Sequence, residues 1–278
     1  MNPKSTAKTE SEEAAQKLAV LIDADNAQAG IIEALLTEIA NYGEATVKRI
    51  YGDFTSRTST QWKKVLQKYA IKPVQQFAYT TGKNATDSTL IIDAMDLLYT
   101  RRFDGFCLVS SDSDFTGLAL RLREEGLMVL GFGEQKTPEA FRNACHKFIF
   151  TEVLRRPLDK GPGPTTPAAT QVVGQGSGVV QEAAGDSAAN GRKKAKVPTR
   201  FIVDALASAQ LDESGWIHLG AFGNYLTKLR SDFDPRVYGF KKLSDLIRAM
   251  SRDVELVDRS PDSTTKSIYI RRRPRKTS

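Results

Sequence analysis

The sequence predicts an α/β domain built on a parallel sheet, followed by a small winged-helix (α+β) domain. Over residues 17–156, short apolar runs alternate with stretches of helical spacing, the pattern of a parallel sheet covered by helices on both faces. Residues 198–271 instead contain three helical stretches and then a β-hairpin pattern, which is typical of a winged helix. A chain of 278 residues, 40% hydrophobic and 26% charged, has room for both domains.

The first domain is predicted to contain six strands that alternate with helices. Apolar residues dominate the predicted strands, which are 18–23, 45–53, 72–79, 106–111, 127–133 and, with its exit, 147–154. Apolar residues recur at helical spacing in the segments between them, which are 31–39, 62–70, 90–99 and 118–126. Gly126 can end the fourth of these helices, and Pro138 can begin another before the last strand.

Composition divides the chain into five segments. We expect a disordered leader (1–16), the α/β domain (17–156), a flexible linker (157–197), the winged-helix domain (198–271) and a basic tail (272–278). The linker is rich in Gly, Pro, Ala, Ser and Thr and contains no aromatic residue, so it cannot bury a core.

The net charge of +7 is unevenly distributed. Residues 1–156 carry 20 basic and 20 acidic residues, whereas residues 157–278 carry 20 basic and 13 acidic residues. The excess indicates an anionic partner for the second part, nucleic acid before membrane, although a basic tail that only aids solubility would give the same count. No apolar run approaches the roughly 18–20 residues of a membrane helix, so we expect no membrane association.

Several chemistries are excluded or made improbable by composition. The only cysteines are Cys107 and Cys145, too few for a disulfide framework, and the only histidines are His146 and His218. A zinc site is therefore not expected, and a reduced, cytoplasmic chain without a secretory signal fits best. The first predicted strand is followed by DADNAQAG, which lacks the glycines of a dinucleotide site.

Acidic residues follow the ends of predicted strands. Asp23 ends the first strand, Asp112 and Asp114 follow the fourth, and Asp87 begins the helix after the third. Parallel strands end at one edge of a sheet, so we expect these four carboxylates to converge there. Because like charges forced together need a counter-charge and oxygen ligands suit hard cations, the pattern predicts a site for Mg²⁺ or Mn²⁺.

Other interpretations of these acids remain open. Each could favour a helix N-terminus as a cap or through the helix dipole, although caps do not require two acids one residue apart at two strand ends. Asp93 lies six residues after Asp87, about 120° around the helix, and is either a supporting residue or part of the polar face. Asp-x-Asp after a first strand also begins the signature of haloacid-dehalogenase-type phosphatases, but Asn26 and Ala27 depart from that pattern.

The motifs LIDADN (21–26), TDSTLIIDAMDLL (86–98) and VSSDSDF (109–115) resemble those of the NYN domain, a branch of the PIN-like, Rossmannoid nuclease fold. The resemblance covers residues 17–154. It implies a divalent metal and hydrolysis of RNA phosphodiester bonds. The residues implied as catalytic and as metal ligands are Asp23, Asp87, Asp112 and Asp114, and the supporting residues are Asn26, Asp93 and Ser111.

The run SGWIHLGAFGNYLTKLRSDFDPRVYGFKKLSDLI (214–247) resembles an OST-HTH, or LOTUS, domain, which implies binding of RNA or of a protein partner. Arg236, Lys241 and Lys242 are candidate RNA-binding residues, since a charged cluster beside a glycine turn can lie on the surface. The basic runs that flank the domain add further candidates: Lys193, Lys194, Arg271, Arg272 and Arg273.

These observations together predict a metal-dependent ribonuclease with an appended RNA-binding domain. Two alternatives stay open from the sequence: a non-catalytic RNA-binding adaptor, and a phosphatase of small substrates. The sequence does not specify the RNA recognised, the choice between Mg²⁺ and Mn²⁺, endonuclease or exonuclease polarity, or the oligomeric state.

Overall fold

The computed structural model describes residues 15–55, 60–76, 85–155, 195–259 and 267–273. Most of the predicted leader, nearly all of the predicted linker and most of the predicted basic tail lie outside the described residues, as do Lys193 and Lys194.

The first domain contains a six-stranded parallel sheet, which confirms the predicted α/β class. Its strands are β1 (Lys17–Asp23), β2 (Glu44–Gly52), β3 (Lys72–Gln75), β4 (Gly105–Val109), β5 (Met128–Gly133) and β6 (Lys147–Phe150). The spatial order is β3-β2-β1-β4-β5-β6, and every neighbouring pair is parallel. The order therefore reverses between β1 and β4, which makes their carboxyl ends the topological switch point.

Helices connect the strands as the alternating pattern predicts. They are α1 (Ile32–Ile39), α2 (Thr60–Tyr69), α3 (Ala85–Tyr99), α4 (Thr116–Glu124), α5 (Glu139–Ala144) and α6 (Thr151–Leu154). The segment 151–154, predicted as the exit of the last strand, is a short helix. None of the helices in the described ranges has the length and apolar character needed to cross a membrane.

Strand β1 lies at the centre of the core. Its residues from Leu18 to Ile22 are fully buried. Ala19 and Leu21 pack into the apolar cluster on one face of the sheet, and Leu18, Val20 and Ile22 pack into the cluster on the other. Burial on both faces explains why this strand is a continuous apolar run and not an alternating one.

The second domain is a winged helix, as predicted. Its elements are α7 (Thr199–Ser208), β7 (Ile217–His218), α8 (Leu219–Leu229), α9 (Leu243–Ala249), β8 (Val254–Asp258) and β9 (Ile268–Arg272). The strands form an antiparallel sheet in the order β7-β9-β8. Strand β9 includes Arg272, one residue beyond the predicted end of this domain. Phe222, Leu226 and Ile270 are fully buried in its core.

The two domains contact each other directly through what we call the domain seam. Its residues are Glu38, Arg142 and Phe148 from the first domain and Ser231, Asp232, Arg236 and Val237 from the second. The backbone N–H of Phe148, on β6, donates to the carbonyl of Ser231 at 3.0 Å, and the Ser231 hydroxyl donates to the carbonyl of Arg142 at 2.7 Å. Val237 packs against the cores of both domains.

Two ion pairs cross the seam. Arg142 pairs with Asp232, whose side chain is nearly buried. Arg236 donates to both carboxylate oxygens of Glu38, at 2.8 and 2.9 Å, in the planar two-bond geometry that arginine forms with carboxylates. The seam therefore combines main-chain, apolar and charged contacts.

We expect Glu38→Lys to open the seam. It places a positive charge against Arg236, and loss of a partly buried ion pair costs about 3 kcal/mol. The amide of Phe148 should then exchange its hydrogen at least about tenfold faster, since about 1.4 kcal/mol already gives that factor. Hydrogen exchange resolved to single amides measures this.

The matched control is Glu33→Lys on the same helix, where Glu33 is exposed and forms an ion pair with Lys68, which is not a seam residue. It should leave Phe148 protected. Within either variant, the amide of Leu108 in the interior strand β4 serves as an internal reference. Unchanged protection at Phe148 in Glu38→Lys would contradict the seam.

Candidate metal centre

Acidic and hydroxyl side chains meet where β1 and β4 end. Asp23 is the last residue of β1, and Ser110, Ser111 and Asp112 directly follow β4. Ile22 is paired with Val109 in the register of these neighbouring strands, so Asp23 and Ser110 leave the sheet side by side. The reversal of strand order opens a crevice at this edge, the usual ligand position in an open α/β sheet.

Asp23 is completely buried and held by three hydrogen bonds. Its Oδ1 accepts from the backbone N–H of Asp25 at 3.0 Å, and its Oδ2 accepts from the side-chain amide of Asn26 at 2.7 Å and from the hydroxyl of Ser110 at 2.8 Å. A carboxylate offers about four acceptor positions, so about one remains, on Oδ1. These contacts fix the orientation of Asp23.

Ser110 links Asp23 to the loop after β4. Its hydroxyl donates to Asp23 and accepts from the backbone N–H of Asp112 at 3.1 Å. The carboxylate of Asp112 in turn accepts from the backbone N–H of Asp114 at 3.0 Å and caps a short 3-10 turn. Hydrogen bonds thus run from the end of β1 to the two acids after β4.

Three carboxylates face one another at this position. Oxygen atoms of Asp87, in the first turn of α3, and of Asp112 and Asp114 all lie within 4.8 Å of one another. Asp87 and Asp112 are half-buried, and Asp114 is exposed. Over the described part of the chain, no Lys or Arg forms an ion pair with Asp87 or Asp112.

The pKa of Asp87 reports the cost of this arrangement. Burial, together with the negative charges of Asp23, Asp112 and Asp114, raises the pKa of Asp87 to about 6. Burial and the charges of Asp23 and Asp53 likewise raise the pKa of Asp25. A cation at the centre of the group would lower both pKa values, because it would offset the repulsion.

The ligand chemistry of this group suits a hard divalent cation. The group consists of three carboxylates, Asp87, Asp112 and Asp114, and contains no thiolate or imidazole. Their oxygen atoms are close enough for one ion to contact all three. Carboxylates held by hydrogen bonds from Ser110 and from backbone N–H groups are also the kind of supported ligands found at metal sites.

The supporting residues predicted from the sequence lie in different surroundings. Asn26 holds Asp23. Ser111 is buried, and its hydroxyl accepts from the backbone N–H of Glu134. Asp93 accepts from Arg49 and from the hydroxyl of Tyr51, so the structure does not bring it into the group of three carboxylates.

Some of the predicted RNA-binding residues are exposed, and others are engaged in ion pairs within the protein. Lys241 and Lys242 are exposed. Arg236 is engaged at the domain seam. Arg271 pairs with Glu255 at 2.6 Å and lies over the ring of Trp216. The side chains of Arg272 and Arg273 are exposed at the end of β9.

Two residues of this site were absent from the predicted set. Ser110 connects the two strand ends, and Asp25 belongs to the charge cluster through its raised pKa. Both stand inside the acidic motifs. The signal that could have identified Ser110 is that it is the first polar residue after the fourth predicted strand.

Comparison with known proteins identifies two families. A model of the NYN domain matches residues 17–154, and a model of the OST-HTH/LOTUS domain matches residues 193–265, in the predicted order. NYN domains are PIN-like nucleases, and LOTUS domains bind RNA. No curated protein matches the chain.

Two solved structures are similar to parts of the chain. The solution NMR structure of an uncharacterized protein from Nitrosomonas europaea is 38% identical, covers 36% of this chain and 97% of its own, and has a TM-score of 0.28. The crystal structure of a protein of unknown function from Vibrio parahaemolyticus is 17% identical, covers 51% of this chain and 96% of its own, and has a TM-score of 0.43.

We expect Asp87→Asn to stabilise the metal-free protein at pH 7 by roughly 1 kcal/mol, a figure reduced for solvent screening of this half-exposed group. Folding raises the pKa of Asp87 from 3.8 to about 6, so the folded state binds more protons than the unfolded state between these values. Asp87 therefore destabilises the fold increasingly as pH rises through this window, and the substitution removes that penalty.

Thermal unfolding in a chelator at several pH values measures the effect, which should shrink as pH falls from 6 and vanish below about 4. Asp96→Asn is the control, because Asp96 lies on the exposed side of the same helix. A gain of stability that persists at pH 3.5, or none at pH 7, would contradict the repulsion described for the three carboxylates.

Proposed function

Because this chain belongs to the NYN domain family and carries an OST-HTH/LOTUS domain, we propose that it is a metal-dependent ribonuclease that captures RNA with its second domain. The observation that carries the proposal is the group formed by Asp87, Asp112 and Asp114, whose oxygen atoms lie within 4.8 Å at the switch point of the sheet. These three would hold Mg²⁺ or Mn²⁺.

When bound, the cation supplies Lewis acidity, which lowers the pKa of water at the site and offsets negative charge on the phosphodiester. The chain contributes positioning. Ser110 holds the loop that carries Asp112 and Asp114, and Asn26 and Ser110 hold Asp23. Asp23, predicted from the sequence as a ligand, is not one of the three grouped carboxylates; it is buried and adds negative charge beside them.

Reaction at this site requires no histidine. Neither His146 nor His218 belongs to the acidic group. His146 accepts from the backbone N–H of Val129 at the opposite end of β5 and β6, and His218 caps α8. A mechanism based on carboxylates and a cation accords with this placement.

The burial of Asp23 argues against the phosphatase alternative. In that reading the first aspartate would attack the substrate and would need an accessible oxygen. Asp23 is fully buried, and its two oxygens accept three hydrogen bonds. The surroundings of Asp23 favour a positioning role over a nucleophilic one.

The acidic group needs help to attract RNA. Its charges repel phosphate until the metal binds, and the first 156 residues have no net positive charge. The second part of the chain carries the whole excess of +7. We infer that this part supplies the long-range attraction, which depends on salt, while the acidic group supplies the chemistry.

We expect Asp112→Asn to reduce cleavage of single-stranded RNA by at least about a hundredfold in Mg²⁺ or Mn²⁺, because it removes one of three carboxylates that would hold the metal. The substitution keeps the acceptor for the Asp114 N–H, so the fold should persist. Cleavage of a labelled RNA with and without chelator is the measurement.

Asp96→Asn is again the matched control and should cleave as the wild type does. All proteins are purified in parallel by the same procedure, so that a contaminating nuclease would give equal cleavage in every preparation. Wild-type cleavage by Asp112→Asn, or cleavage that survives complete removal of divalent cations, would refute the assigned centre. A wild-type chain that binds RNA but never cuts it would favour the adaptor alternative.

Ser110→Ala tests the link between the strand ends. We expect it to weaken metal affinity or activity by about 10–100-fold, the usual effect of removing a group that orients metal ligands. Raising the Mn²⁺ concentration should restore part of the activity. Ser113→Ala removes an exposed hydroxyl in the same loop and should change little. Equal behaviour of the two variants would contradict the role given to Ser110.

A further inference from the structure

The two domains enclose a groove of about 420 Å³ beside the domain seam. Asn41 and Lys147 line it from the first domain, and Asn224, Lys241 and Lys242 line it from the second. Neither domain alone forms both walls.

The groove has a defined shape because the seam fixes the position of its walls. Arg236 and Glu38 both line the groove and are bonded to each other across the seam. The bond from the Phe148 N–H to the Ser231 carbonyl joins the two domains one residue after Lys147. Lys147 immediately precedes Phe148 and is itself held, with its ammonium 2.6 Å from the hydroxyl of Tyr42 and above the same ring.

The lining of the groove is positively charged. Its two acids, Glu38 and Asp234, are both bonded to Arg236 at 2.7–2.9 Å, so one guanidinium already compensates much of their charge. Within the described ranges, Lys147, Lys241 and Lys242 form no ion pair with a carboxylate. These three lysines line the groove together with Asn41 and Asn224, so the groove has an excess of positive charge.

We propose that this groove binds the phosphate backbone of RNA, with Lys147, Lys241 and Lys242 as the contacts from the two domains. The proposal rests on the proposed function insofar as RNA is the ligand. Ammonium groups and amide donors are the groups that contact phosphate oxygens without reading sequence. Lys147 thus joins the two lysines predicted from the sequence, while Arg236 builds the groove instead of filling it.

The groove lies near the amino ends of the parallel strands, and the acidic group lies at their carboxyl ends. Lys147 begins β6 and Asn41 follows the end of α1, whereas Asp112 and Asp114 follow the end of β4 and Asp87 lies in the first turn of α3. A strand as long as β1 spans about 20 Å, so only an RNA longer than a few nucleotides can occupy both places. The groove would hold the flank of an RNA whose other part reaches the acidic group.

The test is binding of a fluorescent single-stranded RNA of mixed sequence to the full chain, in chelator so that no cleavage is needed. We expect Lys147→Gln/Lys241→Gln/Lys242→Gln to lower affinity about ten- to a hundredfold near physiological salt. The slope of log K against log[salt] should fall in magnitude by about 2, since each single-strand phosphate contact contributes about 0.7. Lys147→Gln alone should account for about a third of the change in slope.

Lys72→Gln is the matched control, because Lys72 is an exposed lysine that begins β3, the strand at the other side of the sheet. It should bind as the wild type does. The groove is refuted if the triple variant keeps the wild-type affinity and slope. It is also refuted as a composite site if Lys147→Gln has no effect while the other two substitutions do. Because the assay contains no metal, a chain that never cleaves RNA can still support the groove, and a cleaving chain can still refute it.

Discussion

The candidate site depends on one constraint, the convergence of several carboxylates at the carboxyl ends of neighbouring parallel strands. The strand order places the ends of β1 and β4 side by side, and four aspartates with their charges follow from that arrangement. Hydrogen bonds to Asp23 stabilise the buried member, whereas Asp87 and Asp112 form no ion pair with a lysine or arginine in the described part of the chain. The fold therefore maintains a group of carboxylates that repel one another and raise the pKa of Asp87, and groups with perturbed pKa values of this kind are common at functional sites.

Much of this could be predicted from the sequence, because the relevant signals are local. A continuous apolar run such as LAVLID reports a strand buried on both faces, and an acidic motif directly after it reports a position at the carboxyl edge. Because parallel strands end on the same side of the sheet, the convergence of these acids can be predicted without knowledge of any side-chain contact. The hydrogen bonds of Ser110 could not be predicted, since they depend on the register between β1 and β4, which no periodicity encodes.

Arg236 shows more clearly what could not be predicted from the sequence. Its neighbours Lys241 and Lys242 and the nearby Gly239 suggested an exposed basic cluster. One of its two carboxylate partners, Asp234, is two residues away, but the other, Glu38, is 198 residues away, in another domain. The role of Asp93 could not be predicted for the same reason. Helix geometry left two roles open, and the partners that distinguish them, Arg49 and Tyr51, belong to a strand more than 40 residues earlier in the chain. Charged residues with long-range partners have no local signature, and a resemblance to a family does not supply one for contacts between domains.

Strand β6 is the outermost strand on its side of the described sheet, and its outward main-chain groups would otherwise be open to pairing with a strand of another molecule. The bond from Phe148 to Ser231 uses one of these groups, and the second domain covers that part of the strand. The winged helix thus shields this part of β6 from pairing with a strand of another molecule. A chain that lost its second domain to a protease would expose this part of β6 to pairing between molecules, even though every residue of the acidic group remained.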